Sequence, residues 1–378
     1  MNNTSLRFGN IKISNAALLL FLLPLFFILS FITHLSHLNE INMYSGSQAD
    51  YIIDAYYYIF LSTQVTEIMS SAGLSLHEAS EILSPNDSTN GVVMLSSIVF
   101  LLFPDIVLIP FFFLFAYVIL LFPFLAYGGS GLKIILILFS GLLPYLFIPS
   151  KESFFIIGFL IFLLPFKFSI SKIFSFFILS LGISIMLLAR TEAFLIMLLS
   201  GVALYLFNRK YLLILFLFFA ILVYVYFLRD IAYITALAFQ TSAESSGTSF
   251  CNVGFINTCI TDKNTMELVF IQRILTIILL PAKWIYDFFI SFGDIELLTV
   301  RNLLTRFCLL IQILWGYLAY KNIKQNGINI GLIFCIAYIF VYTTIFYYQF
   351  TRPIIFATTI LFIFSSIDFY KKSNDSFE

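Results

Sequence analysis

The sequence predicts an all-α polytopic integral membrane protein with about 10–12 transmembrane helices. Of its 378 residues, 61% are hydrophobic and 11% are charged, whereas a soluble domain has about 45–50% apolar and about 25% charged residues. Apolar runs of roughly 17–25 residues recur along the whole chain, and each is long enough to cross a bilayer. These runs must be helices, because backbone groups in lipid have to be hydrogen-bonded internally.

The first predicted elements are a cytoplasmic tail, a helix and a long external loop. Arg7 and Lys12 place the tail inside by the positive-inside rule. The apolar run 16–32 lacks a cleavage site, so we expect a retained helix. Residues 13–132 contain no Lys or Arg, and within them 34–91 is polar and acidic. The sequence therefore predicts an external loop with interfacial helices over 34–91.

The hydrophobic stretch 92–127 is predicted to return the chain to the inside. It is long for one crossing, and Pro104 and Asp105 lie near its middle. We expect one crossing preceded by an interfacial helix. Two crossings would invert every later turn and place the paired cations outside, against their usual bias.

Paired cations mark the later cytoplasmic turns, at 167 and 172, 209 and 210, 321 and 324, and 371 and 372. With these inside, both termini are cytoplasmic. The predicted helices are 133–148, 153–166, 173–189, 192–207, 211–228, 303–320, 328–346 and 353–370. Residues 229–302 form a second large external segment, whose apolar part is either a membrane hairpin or a re-entrant pair of helices. The prediction is a single membrane domain over 1–378.

Four cysteines are present. Cys308 and Cys335 lie in apolar runs and are expected to be small packing residues. Cys251 and Cys259 lie in a polar loop. They form a disulfide if that loop is external, and they are free thiols if it is cytoplasmic.

Charged residues gather at the helix ends that this topology places outside. Cations there oppose the usual bias, and a charge at membrane depth is a functional candidate. We expect them to bind an anionic lipid-linked phosphate or diphosphate, since Arg and Lys bind phosphate well. The predicted phosphate-binding residues are Lys151, Arg190, Arg229, Arg273 and Arg352.

A carboxylate near this site is predicted to take the proton of an attacking sugar hydroxyl. Asp50 and Asp54 in the first external loop share a face if that segment is helical. Glu152, in the turn "PSKESFF", is the third candidate base, or it orients Lys151.

Plainer interpretations of the same residues stay open. "SKES" is compatible with a solvated turn, Arg190 and Glu192 with a local ion pair, and Asp50 and Asp54 with a solvated helix face. His34 and His37 have metal-compatible spacing, but no further ligand lies near them in sequence, so we predict no metal. The net charge is zero and there is no nucleotide-binding glycine loop, so we expect neither a nucleic-acid partner nor a cofactor.

The order of these features resembles a family. A long acidic external loop is followed by an external "SKE" turn at Lys151, an "R-x-E" at Arg190 and a late "TRP" at Arg352. This pattern resembles the O-antigen and exopolysaccharide repeat-unit polymerases, which are membrane glycosyltransferases of the GT-C type. The best matches are Lys151, Glu152 and Arg190.

The resemblance implies transfer of an oligosaccharide from polyprenyl diphosphate to a growing lipid-linked chain at the outer face of the bacterial inner membrane. It makes Asp50 or Asp54 the counterpart of the family's catalytic acid. It implies as partners the bilayer, the lipid-linked oligosaccharide, a chain-length regulator and a flippase. The alternatives are an O-antigen ligase, a single-sugar transferase that uses a polyprenyl-phosphate donor, and a non-enzymatic flippase or transporter. The absence of an internal repeat disfavours the transporter.

Overall fold

The protein is described by a computed structural model. It covers residues 5–8, 11–14, 17–18, 20–22, 24–25, 27–28, 31–32, 53–84, 87–128, 148–168, 170–207, 209–245, 252–253, 256–257, 259–293, 324, 328, 330–344, 356–357 and 359–361. The chain forms two compact units. The first unit comprises Met1–Ser45, Asp50–Phe194 and Phe362–Glu378, and the second comprises Gly46–Ala49 and Leu195–Leu361.

The described chain is almost entirely helical, as predicted. Its helices are α1 (Ile53–Ala72), α2 (Leu76–Leu83), α3 (Asp87–Leu102), α4 (Ile109–Gly128), α5 (Lys151–Lys167), α6 (Lys172–Ala189), α7 (Thr191–Phe207), α8 (Lys210–Val223), α9 (Arg229–Ser245), α10 (Met266–Gly293) and α11 (Ile330–Thr344). Two short antiparallel hairpins are the exceptions to an all-α chain. They are β1 (Ser5–Phe8) with β2 (Ile11–Ser14), and β3 (Asn252–Val253) with β4 (Ile256–Asn257).

Two helical stretches among the described residues are long and apolar enough to cross a membrane, Lys172–Ala189 and Phe218–Ala238. The bent pair Thr89–Leu102 and Ile106–Leu120 adds a third if it forms one broken span. Shorter apolar helices cover Thr191–Phe207 and Ile330–Tyr342. The larger number of spans that the sequence predicts includes nearly all of the run 133–148, the run 303–320 and most of 353–370, which lie outside the described residues.

Four of the predicted helices are confirmed as helices with nearly the predicted bounds. The predictions 153–166, 173–189, 192–207 and 328–346 correspond to α5, α6, α7 and α11. Each is an apolar run bounded by charged or polar residues, so its ends are marked locally. The described residues between 17 and 32 are also helical.

The predicted loop 34–91 contains helices where it is described. Helix α1 packs against α2 and α3 and buries Tyr58 and Val65. Helix α2 begins with a reciprocal capping box, in which Ser75 and Glu78 bond to each other's backbone N–H. The hydrogen bonds from Ser75 lower the pKa of the Glu78 carboxyl.

The stretch 92–127 does not form one straight helix. Its two limbs meet at an angle of 102°. The break falls at Pro104 and Asp105, and Asp105 caps the short 3₁₀ turn Ile106–Leu108 by accepting from the backbone N–H of Val107. By length and composition this bent pair is either a broken span or a re-entrant loop.

The prediction that a helix ends at residue 228 is wrong. The backbone continues from α8 through a π-helical turn, Tyr224–Leu228, directly into α9. Arg229 and Asp230 therefore lie within a continuous helical run and not at its end. The run does not have to stop at these charges, because Glu267 and Lys263 from a neighbouring segment neutralise them.

The prediction of a hairpin or a pair of helices in the apolar part of 229–302 is also wrong. Residues Met266–Gly293 form the single helix α10, 28 residues long. Pro281 lies inside it. A proline in a helix interior removes one backbone hydrogen bond and can bend the helix, but it does not by itself reverse the chain.

Glycines bring helices of the first unit into backbone contact. A Cβ on Gly182 of α6 would lie 2.6 Å from the backbone N of Phe162 and 2.7 Å from the carbonyl oxygen of Gly158, both in α5. A Cβ on Gly91 of α3 would lie even closer to the carbonyl oxygen of Leu188 in α6. Small residues at helix crossings allow this close approach, which favours association in membranes. Helices α3, α5 and α6 therefore form a tightly packed group.

The second unit contains a compact lobe built from α9, the hairpin β3–β4 and the start of α10. Its core consists of Ala236, Ile260, Met266, Val269 and Phe270, with Tyr224 and Tyr233 packed against it. Cys259, which directly follows the hairpin, is disulfide-bonded, whereas Cys335 is a buried free thiol, as expected of a packing residue. Cys251 and Cys308 lie outside the described residues.

We expect the disulfide partner of Cys259 to be Cys251. The hairpin between them reverses the chain over a few residues, so the sequence positions 251 and 259 flank its two ends. Mass spectrometry of non-reduced, alkylated protein should find the two peptides linked. Free thiols at both positions in rapidly trapped samples would contradict this pairing and an oxidising location for the lobe.

Candidate functional site

The turn that carries "PSKESFF" is buried, so it is not the solvated turn that the plainer interpretation expected. Ser150 is the N-cap of α5, and its hydroxyl accepts from the backbone N–H of Ser153 at 3.0 Å. The Ser153 hydroxyl accepts in return from the backbone N–H of Ser150. Ser150, Glu152 and Ser153 are each at most 1% exposed, and Lys151 is half-buried. The helix start is therefore held rigidly inside the first unit.

Arg190 lies between α6 and α7 and faces this turn. Its Nη2 donates to Oε1 of Glu152 at 2.5 Å, although the two residues are 38 positions apart. Its Nη1 donates to Oε1 of Glu192 at 3.3 Å. Arg190 is 7% exposed and Glu152 is fully buried. Burying two charges costs several kcal/mol per ion, and close pairing has to offset that cost.

Residues from four parts of the first unit lie at or next to this ion pair: the start of α5, the junction of α6 and α7, helix α4 and helix α3. Glu152 comes from the start of α5, and Arg190 from the junction of α6 and α7. Helix α4 contributes the buried Tyr117, whose hydroxyl donates to the carbonyl oxygen of Ser153 at 3.3 Å. Helix α3 contributes the backbone contact of Gly91 with Leu188, two residues before Arg190. We call Lys151, Glu152, Arg190 and Glu192 the charged site.

The charged site holds two cations and two carboxylates of unequal exposure. Glu152 is buried and bonded to Arg190, whereas the Glu192 side chain is 32% exposed. The guanidinium group has five N–H donors in a planar fork. Of the two carboxylates bonded to Arg190, Glu192 is the one that an incoming anion can replace, because it makes the longer bond and keeps access to solvent. Glu152 would then still orient the guanidinium group.

A second group of charges lies in the lobe of the second unit. Arg229 donates to Glu267 through Nε at 2.6 Å and through Nη2 at 3.2 Å, which is a bidentate ion pair. Asp230 contacts Lys263. These pairs connect the start of α9 to the start of α10. Arg229 is therefore already bonded within the lobe.

Arg273 is the fourth predicted phosphate ligand whose side chain is described, and it is fully buried. Its Nη2 donates to Oε1 of Gln240 at 3.3 Å, and its guanidinium carbon lies 5.9 Å from the centre of the Phe270 ring. Gln240 also bonds to both backbone groups of Ile260. These contacts make Arg273 part of the lobe core and not a surface ligand for phosphate.

The structure brings together only part of the predicted site. Lys151, Glu152 and Arg190 lie in the first unit, and Arg229 and Arg273 in the second. Asp50, Arg352 and the side chain of Asp54 lie outside the described residues, although Asp54 falls within α1.

Sequence reasoning missed several partners: Tyr117, Gln240, Lys263 and Glu267. None of them belongs to a recognisable motif. Only Glu267 could have been identified as a candidate from the sequence, because it is a charge at the start of an apolar helix. No three His, Cys, Asp or Glu side chains in the described part of the chain are grouped as metal ligands would be.

No protein-family model, no curated protein and no solved structure matches the chain.

Proposed function

We propose that this chain is a membrane glycosyltransferase that polymerises polyprenyl-diphosphate-linked oligosaccharide repeat units into a surface polysaccharide. The observation that supports this most is the buried Arg190–Glu152 pair beside Lys151 at converging helix ends. A protein rarely buries such a pair for stability alone, since apolar residues of similar volume often do as well. A guanidinium group held by Glu152, with a half-buried lysine next to Glu152 in the sequence, suits a diphosphate.

In this proposal Lys151 and Arg190 bind the diphosphate of the donor lipid. The bond between sugar and diphosphate breaks, and the leaving diphosphate gains negative charge. Cations placed in advance stabilise that charge without reorganising. Glu152 is a positioning residue, because its carboxylate is already bonded to Arg190. Asp50 or Asp54 then serves as the base that takes the proton of the attacking hydroxyl.

The proposal includes a topology of about 10–12 membrane-spanning helices with both termini in the cytoplasm. The charged site then faces the outside of the bacterial inner membrane, where lipid-linked repeat units are joined. The disulfide-bonded Cys259, which follows the β3–β4 hairpin, supports this side, since disulfides persist in oxidising compartments.

Cysteine labelling tests this topology at exposed positions. In a variant with the native cysteines replaced, His77→Cys and Thr191→Cys should react with a membrane-impermeant maleimide in whole cells whose outer membrane is permeable. Ser171→Cys should react only after the inner membrane is opened. All three residues are exposed, unlike Ser150. The reverse pattern at Thr191 and Ser171 would place the charged site in the cytoplasm.

Deleting the gene tests the activity. A strain without a polymerase should carry single repeat units on its lipid and lose the ladder of longer chains, and the intact gene on a plasmid should restore the ladder. A ligase would give a different result: long chains would still form on the polyprenyl lipid but would not reach their final acceptor. A flippase would leave the repeat units on the cytoplasmic side.

A further inference from the structure

Asn90 of α3 has a buried hydrogen-bond acceptor that the fold does not use. Its Oδ1 is shielded from solvent and accepts no hydrogen bond in the described structure. Buried polar atoms are nearly always hydrogen-bonded, because an unbonded one pays the cost of desolvation without compensation. A group that persists at such a cost is a candidate for a ligand contact.

The position of Asn90 connects it with the charged site. The next residue, Gly91, packs its Cα against the backbone of Leu188. Leu188 lies two residues before Arg190 at the end of α6. This crossing of α3 and α6 therefore holds the Asn90 backbone near the end of the helix that supplies Arg190.

The Asn90 Oδ1 is a hydrogen-bond acceptor, so it can bind only a part of a ligand that carries a donor. A diphosphate offers acceptors only, so it bonds to cations and N–H groups and not to Oδ1. A sugar offers hydroxyl donors, and an acetamido sugar also offers an amide N–H. The charged site thus suits phosphate oxygens, and Asn90 suits a sugar hydroxyl or amide N–H. In a sugar diphosphate the phosphate and the sugar are joined directly.

We propose that Asn90 binds the sugar next to the diphosphate of the donor, accepting a hydrogen bond from a hydroxyl or amide N–H of that sugar. This inference rests on the proposed function and adds a contact for the first sugar of the repeat unit. A site that bonds to a substrate hydroxyl discriminates strongly against a donor that lacks it, because the buried acceptor is then left unsatisfied.

The test uses Asn90→Ala in the native strain, with the polysaccharide ladder measured at matched membrane abundance. Asn90→Ala should reduce polymer with more than one repeat unit by about tenfold, the loss expected for one hydrogen bond of ordinary strength. Purified in detergent, it should melt no lower than the wild type, because Oδ1 makes no bond within the protein.

Ser96→Ala is the matched control. Ser96 lies on the same helix and its buried Oγ also lacks a hydrogen-bond partner, but it is about 9 Å further along the axis. Its removal should leave both the ladder and the melting temperature unchanged or slightly improved.

Two results would overturn the inference. They are a wild-type ladder in Asn90→Ala, or a lower melting temperature in that variant. A wild-type ladder in Asn90→Ala refutes the role of Asn90 but not the proposed function, provided that gene deletion and Arg190→Ala still abolish the ladder. A normal ladder in the deletion strain would refute the proposed function itself.

Discussion

Arg190→Ala should reduce surface-polymer formation by about 10²–10³-fold, because removing one well-placed donor to a developing anion has effects of this size. Arg190→Lys should recover only part of the activity, since an ammonium group cannot reproduce a bidentate fork. The measurement is the length ladder of the surface polysaccharide, with each variant at the same membrane abundance.

The same substitution also affects folding, because it leaves Glu152 buried without the guanidinium group that it accepts from. Removing one partner of a buried ion pair costs about 3–5 kcal/mol. A double variant separates the two effects. Glu152→Met with Arg190→Met replaces both charges by apolar side chains and should restore folding while chain formation stays lost.

Arg209→Ala is the control for charge. Arg209 is exposed and its guanidinium carbon lies 5.1 Å from the centre of the Tyr205 ring, at the opposite end of α7 from Arg190. It should form polymer at nearly the wild-type level. A wild-type ladder in the double variant would show that the ion pair is purely structural and that the proposed phosphate site is wrong.

Gly182→Ala should destabilise the first unit by about 1–3 kcal/mol, which is the usual cost of overpacking. The new methyl group would lie within 3 Å of three backbone atoms of α5, and backbone cannot move aside as a flexible side chain can. Helices α5 and α6 would separate, and with them Glu152 and Arg190. The measurement is thermal unfolding in detergent, and Gly182→Leu should fail to accumulate.

Gly201→Ala is the matched glycine control. Gly201 also lies inside an apolar helix, but a Cβ there would meet only the Cδ1 of Ile330, at 3.3 Å. The substitution should be neutral or stabilising, because alanine is favoured over glycine in a helix by up to about 1 kcal/mol. Equal melting temperatures for the two alanine variants would show that α5 and α6 are not packed through Gly182.

The positions of four helices could be predicted from the sequence because charged or polar residues mark the ends of those helices locally. Apolar runs bounded by Lys167, Lys172, Arg190 and Arg209 gave α5, α6 and α7 to within a few residues. The candidate residues Lys151, Glu152 and Arg190 were predicted in the same way, as charges that interrupt apolar sequence.

The sequence alone thus determined the helical character of the chain and the places where charge enters apolar runs. Only the tertiary structure decided which charge meets which. Glu152 with Arg190, and Arg229 with Glu267, are each 38 residues apart, and no local pattern specifies such pairs. The same reason explains the wrong helix end at Arg229. A charge ends an apolar helix when water must solvate it, but a helix continues through a charge that a neighbouring segment neutralises.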